Sequence, residues 1–211
     1  MPTAATRLVT ATQRLEQSPS LDRLRSFYGV LATPLDRWSG SELLRSGLIG
    51  HALHPLLTDL PLGLWTAATA LDLRGRPEDR DASRWLVGAG LAAAAPTALT
   101  GLAEWAPTGT AAQRVGALHG VLNGTASVLY LTSFVARSRR RQTLGVVTAL
   151  AGAALTGASG YLGGHLTTAR KVGSRNQAFA RDAVGPPDAG THARVDPPDP
   201  LDPLVGPGAL T

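Results

Sequence analysis

The 211-residue chain contains no cysteine. That absence excludes disulfides, thiolate zinc sites, cysteine-held iron–sulfur clusters and covalent c-type haem attachment, so any metal must be held by histidine, carboxylate or carbonyl. Lysine is almost as scarce: Lys171 is the single example, and arginine carries the positive charge. The net charge of +5 and sequence pI near 10.6 would fit a nucleic-acid binder if arginines lined one helical face with interleaved aromatics. They fall instead in the tails and between apolar stretches, as charge does around membrane spans, and no nucleic-acid partner is expected. Catalytic signatures are also missing. There is no HExxH, no GxSxG, no phosphate-binding GxxxxGK[ST] and no GxGxxG between strand and helix. No catalytic residue is assigned, and enzyme status stays open. The first 30 residues hold no apolar run followed by a small-residue cleavage site, so a cleaved signal peptide is not expected.

What the chain does have is an apolar middle between polar ends, hidden by a mean hydropathy of +0.04. Four stretches, at about 53–73, 85–106, 115–136 and 143–166, are long enough to cross a hydrocarbon core of roughly 30 Å as helices. Short connections force successive helices to run antiparallel. The expected fold is therefore all-α: an integral membrane four-helix up-down-up-down bundle over residues 47–168 of a multi-pass protein of the bacterial inner membrane. Residues 1–46 read as an amphipathic, interfacial segment, with Ser20 capping a helix that turns Leu21, Leu24, Phe27, Tyr28 and Leu31 to one side and a second short helix from Ser41 to Leu48. Residues 169–211 read as a polar tail, rich in proline and aspartate and disordered from about Gly185. Gly116, Gly120 and Gly124, and then Gly160 and Gly164, have the spacing of helix contact seams, while Trp65, Trp85 and Trp105 read as interfacial belts.

Antiparallel threading brings distant polar residues to one membrane face. His51 and His54 begin the first stretch, Glu104 ends the second, His119 and Asn123 begin the third, and Tyr161 and His165 end the fourth. Two readings are open. In one, His51, His54, His119 and His165 ligate haem b or a divalent metal, and Asp59, Glu104, Asn123 and Tyr161 orient them. In the other, they are hydrogen-bonded polar groups near the lipid headgroups, and the protein is a non-catalytic scaffold or accessory subunit packed on another membrane protein. Partners under these readings are the lipid bilayer, a redox or other membrane protein, and a further copy of the chain. The connections on the opposite face carry eight arginines against Arg114 alone on the histidine face, which points the arginine face toward the cytoplasm.

The segments GHALHPLLTDLPLGLW, PTALTGLAEW, RVGALHGVLNGTA and GYLGGHL resemble, in order and spacing, bacterial membrane proteins grouped as domain of unknown function 2231, over about residues 46–180. Ala52 stands where the family commonly has proline, and Glu104 where it has aspartate. The resemblance implies a small multi-helix membrane protein, and a redox neighbourhood, because some relatives are fused to Rieske-type iron–sulfur domains. No cysteine follows Asn176, so an electron partner is expected on a separate chain.

Overall fold

The computed structural model describes residues 4–45 and 51–173, and among these every regular element is helical. Helices α1 (Ala4–Glu16), α2 (Asp22–Arg37) and the single turn α3 (Ser41–Leu44) form the head. Four long helices follow: α4 (Leu53–Arg74), α5 (Arg80–Trp105), α6 (Thr110–Ser138) and α7 (Gln142–Gly164), the last running into a π-helical turn over His165–Ala169. The helices outrun the apolar stretches. α5 begins at Arg80 and α6 at Thr110, because backbone hydrogen bonding continues through polar flanks that a hydropathy reading discards. Glycine ends α4: Gly75 adopts φ of 68° and donates its N–H to the Asp72 carbonyl. The expected second head helix through Leu48, and the tail from Ser174 onward, lie outside the described residues.

Contacts between named residues give the packing directions. Along α4, His54, Trp65 and Ala68 meet Gly101, Gly90 and Ser83 of α5, rising positions against falling ones. Along α6, His119, Tyr130 and Ser133 meet Gly163, Gly152 and Gly145 of α7 in the same sense. Each pair is therefore an antiparallel hairpin; α5 also packs on α6, and α4 on α7.

The two hairpins repeat one another. His54, Trp65 and Asp72 of α4 correspond to His119, Tyr130 and Arg137 of α6 at a constant offset of 65 residues. Thr97, Gly101 and Gly90 of α5 correspond in turn to Ser159, Gly163 and Gly152 of α7, at an offset of 62 residues. Each α4 residue pairs with its own counterpart. The two imidazoles are 6.4 Å apart, the Trp65 and Tyr130 rings stack at 3.9 Å with 13° between planes, and Asp72 pairs with Arg137. The hairpins are thus related by an approximate two-fold axis running between α4 and α6.

Glycine makes room for these side chains. A Cβ on Gly90 would stand 2.3 Å from the Trp65 indole nitrogen, one on Gly101 2.7 Å from the His54 ring, and one on Gly163 3.0 Å from the His119 ring. The expected seams behave differently. Gly116 and Gly120 lie against Trp105 and Tyr28, while Gly124, Gly160 and Gly164 face open space. Glycine here seats rings rather than bringing backbones together. Two of the expected belt tryptophans are also interior: Trp65 donates to the Val87 carbonyl at 3.3 Å and Trp105 to that of Gln113 at 2.9 Å. Trp85 remains outside, 67% exposed. Large apolar side chains line the outer surface, among them Leu56, Leu60, Leu73, Leu99, Val128, Leu131 and Val147.

Arg137, counted from sequence among the loop arginines, is buried inside the helices. Its side chain is 1% exposed and that of Asp72 2%. The guanidinium donates to Asp72 Oδ1 at 2.8 Å and Oδ2 at 2.5 Å, to Ser83 Oγ at 3.0 Å and to Ser133 Oγ at 3.0 Å. Ser83 in turn donates to Asp72 Oδ1 at 2.8 Å, and Ser133 to the Gly145 carbonyl at 2.6 Å. One network therefore joins α4, α5, α6 and α7, and it satisfies the fork of the arginine with a bidentate partner.

The head packs on the long helices rather than standing apart. Thr12, Glu16 and Ala32 are buried, and Tyr28 meets the Trp105 ring at 6.1 Å and lies against Gly120. Phe27 and Leu31, expected on the same side of the helix as Tyr28, are 58% and 47% exposed. Ser20 does not cap α2. It lies in the Pro19–Leu21 turn with its hydroxyl 2.7 Å from that of Ser18.

Removing one member of the Asp72–Arg137 pair leaves a buried charge unanswered, at a cost of about 3–5 kcal/mol. In detergent, Asp72→Leu and Arg137→Leu should each lower the unfolding temperature strongly, and the double substitution by clearly less than the sum of the two. Additive effects in that thermal double-mutant cycle would contradict the network.

Candidate functional site

The site is built at the end of the axis opposite the Asp72–Arg137 network. His54 is the second residue of α4, and its ring lies over Gly101, where α5 has no side chain to exclude it. His54 Nδ1 is 2.9 Å from the Thr97 carbonyl. A carbonyl can only accept, so the proton is assigned to Nδ1 and the lone pair to Nε2. His119 repeats this on α6. Its ring lies over Gly163, and its Nδ1 is 2.9 Å from the Ser159 carbonyl and 2.8 Å from Ser159 Oγ. The Ser159 hydroxyl donates back to the His119 carbonyl at 3.2 Å, closing a clasp between α6 and α7.

The two rings, set at 90° to one another, differ at the fourth residue beyond each. Asn123 turns its amide onto His119 Nε2 at 3.0 Å. Its counterpart Thr58 bonds the His54 carbonyl at 2.8 Å instead. Among the described residues nothing caps His54 Nε2. The pair therefore consists of two neutral imidazoles held in the same tautomer, one with a donor on its lone pair and one open.

The other expected site residues fall elsewhere. His165 donates from Nε2 to Glu16 Oε1 at 2.6 Å, and Glu16 also receives Arg170 in a bidentate pair. This cluster fastens α1 to the end of α7. Tyr161 donates to Thr12 of α1 at 3.2 Å, since the Thr12 hydroxyl itself donates to Leu8. Asp59 is exposed on the outside of α4, His51 is exposed, and Glu104 is buried at the end of α5, 3.8 Å from where a Cβ on Gly173 would stand. Among the described residues, no three histidine or carboxylate groups are gathered closely enough to hold a metal ion. The site is a pair, oriented by Thr97, Ser159 and Asn123.

Sequence reasoning named the two histidines and Asn123 but passed over Thr97 and Ser159. The signal was present as a repeat: a hydroxyl residue four positions before the glycine that seats the ring, Thr97–Gly101 in one hairpin and Ser159–Gly163 in the other. Glu16 was missed because nothing local marks it. Only docking of the head brings it to His165 and Arg170.

Burial alone would raise the Glu16 carboxyl, but hydrogen bonds and charge from Arg170 and His165 outweigh it and hold it below the ordinary carboxylate range. Asp22 is lowered too, chiefly by its bidentate bond with Arg114 at 2.8 and 2.9 Å. Both groups titrate lower folded than unfolded, so their contribution to docking is complete above about pH 5 and fades as pH falls through the folded values. Protection factors over residues 7–22, taken against the intrinsic exchange rate at each pH, should therefore be high at pH 6 and markedly lower at pH 3, with Glu16→Gln weakening protection already at pH 6. Equal protection at both pH values would contradict the clasp.

Two helical segments, Pro77–Trp105 and Gln142–Ala169, are long and apolar enough to cross a membrane, each containing an 18-residue stretch of mean hydropathy 1.5 and 1.4 respectively. No curated protein and no solved structure matches the chain. The family model described as "Predicted membrane protein (DUF2231)" matches residues 50–176. That match spans α4 to α7 and both halves of the histidine pair, and the chain belongs to this family of predicted membrane proteins.

Proposed function

We propose that the protein is a multi-pass membrane protein of the bacterial inner membrane, a four-helix up-down-up-down bundle whose His54–His119 pair holds a redox cofactor. Four crossings are supported by the antiparallel contacts and by the apolar outer surface, since a contiguous exposed apolar face suits lipid rather than water. α4 and α6 fall short of a plain hydropathy criterion because they carry the axial residues His54, Asp72, His119, Asn123 and Arg137. Those residues face a neighbouring helix, where polar groups in a membrane find partners.

One observation carries the cofactor reading. Two imidazoles from equivalent helices lie 6.4 Å apart, each with Nδ1–H fixed on a backbone carbonyl, so that Nε2 is the ligating nitrogen of both. His54 and His119 would be the residues that hold haem b, for which two nitrogen donors suffice; a divalent metal in a closed protein site asks for about four ligands. When bound, haem would supply one-electron transfer to a separate partner chain. The protein's own part is to fix both tautomers through Thr97 and Ser159, with Asn123 moving off His119 Nε2 to free its lone pair. The scaffold reading is favoured by one observation: Gly160 and Gly164 leave a smooth open face on α7.

Two measurements test this. Because the chain lacks cysteine, single substitutions give unique labels: Glu78→Cys and Arg140→Cys should react with an impermeant maleimide from the cytoplasmic side, and Gly109→Cys from the other. Reaction of Glu78→Cys and Gly109→Cys from one side would rule out this threading. The purified protein from haem-replete cells should show a Soret band that shifts with dithionite and disappears in His54→Ala and in His119→Ala. A colourless protein that copurifies with another membrane chain would favour the scaffold.

A further inference from the structure

The turn joining α6 to α7 is built like the turn that ends α4, with one difference. Arg140 N–H bonds the Arg137 carbonyl at 2.9 Å and Arg141 N–H that of Ala136 at 2.8 Å, which places Arg140 in the left-handed position that closes a helix. Its φ is 60°. The equivalent residue after α4 is Gly75, with φ of 68°. The same backbone geometry is thus made once with glycine, which has no Cβ to crowd it, and once with an arginine, which does. Geometry alone does not call for arginine there.

The charges on this turn also differ between the hairpins. Arg74, the counterpart of Arg139, is answered by Asp79 at 3.4 Å. Arg139 and Arg141 are exposed and have no acidic partner among the described residues. Below them, α6 and α7 form a groove walled by Leu131, Val135 and Leu144, which are 52%, 38% and 45% exposed. Among the described residues, no carboxylate lines this groove. The neighbouring groove between α4 and α7 differs in having carboxylates in its wall: Asp72, held by Arg137, and Asp79, held by Arg74, lie beside Arg76 and Arg80.

We propose that the Arg139–Arg141 turn and the groove beneath it bind an anionic phospholipid, the arginines taking the phosphodiester headgroup and Leu131, Val135 and Leu144 an acyl chain. Charge complementarity selects the occupant: unanswered guanidiniums sit at the polar end of an apolar wall, and an anionic lipid presents the same two parts in the same order. This rests on the membrane-spanning reading and is independent of the histidine pair.

The test uses the full chain released from vesicles containing equal phosphatidylglycerol and phosphatidylcholine, with retained lipid read by native mass spectrometry. Phosphatidylglycerol should be retained in preference to phosphatidylcholine. Each arginine near an anionic lipid contributes about fivefold, so Arg139→Gln with Arg141→Gln should reduce that retention about twentyfold, and adding Arg140→Gly, which matches Gly75, should leave the fold intact. Arg76→Gln should change nothing. Equal retention of both lipids, or unchanged retention in the arginine variants, overturns the proposal. Displacement of the lipid by millimolar inorganic phosphate assigns the turn to free phosphate and overturns it as well. A protein that resists none of an alkaline wash and leaves the vesicles carrying no lipid of either class refutes the membrane reading itself, and this proposal with it.

Discussion

Three side-chain pairs along one line hold the two helical hairpins in register: an imidazole pair at one end, an indole on a phenol ring in the middle, and a carboxylate in a guanidinium fork at the other. Most of the architecture follows from that line. The helices that carry it, α4 and α6, are polar along one edge; α5 and α7 supply glycines where the rings lie, and Ser83 of α5 and Ser133 of α6 give the charges further partners. The result partly inverts the usual arrangement of a water-soluble domain, with much of the leucine and valine outside and hydrogen-bonded polar groups along the axis. In lipid this inversion is stable because an apolar exterior costs nothing, and a polar interior is satisfied by its own members.

The head is tied to this frame by ion pairs and hydrogen bonds as well as by the apolar contacts of Leu15, Leu24, Tyr28 and Ala32. Glu16 receives His165 and Arg170, Asp22 receives Arg114, and Arg45 reaches the Ala103 carbonyl at 3.0 Å. These ties all lie at the histidine end, so the first two helices cover the same end of the axis that carries the imidazole pair. Access to that end is governed by the docking of α1 and α2, and the groups that secure docking are carboxylates.

The helical class, the two histidines that meet and the family were legible in the sequence, because apolar length and the order of short motifs are local properties. His54, His119 and Asn123 could be placed by counting alternating helix directions. What the same count could not give is which side of a helix a residue takes. His165 satisfied the level and still turned to Glu16, and Asp59 satisfied the spacing and still faces outward. Arg137 was read as a loop charge because it follows an apolar stretch by a single residue, and Trp65 as a membrane belt because tryptophan favours interfaces. Both are set by a partner 65 positions away in the other hairpin. That offset was in the sequence throughout, but it is carried by unlike residues, His with His, Trp with Tyr, Asp with Arg, so it reads as a repeat only when the contacts are known.

The opposite signs at the end of the axis bear on how such a chain can be assembled. Two copies of the first hairpin would bring two carboxylates together at that level, and two copies of the second would oppose two guanidiniums, each with nothing to neutralise it. Self-pairing is therefore penalised for both, while each is the other's complement. Whatever twinning produced the likeness between them, the divergence at this one position binds them into a single polypeptide partnership that neither half can form with its own kind.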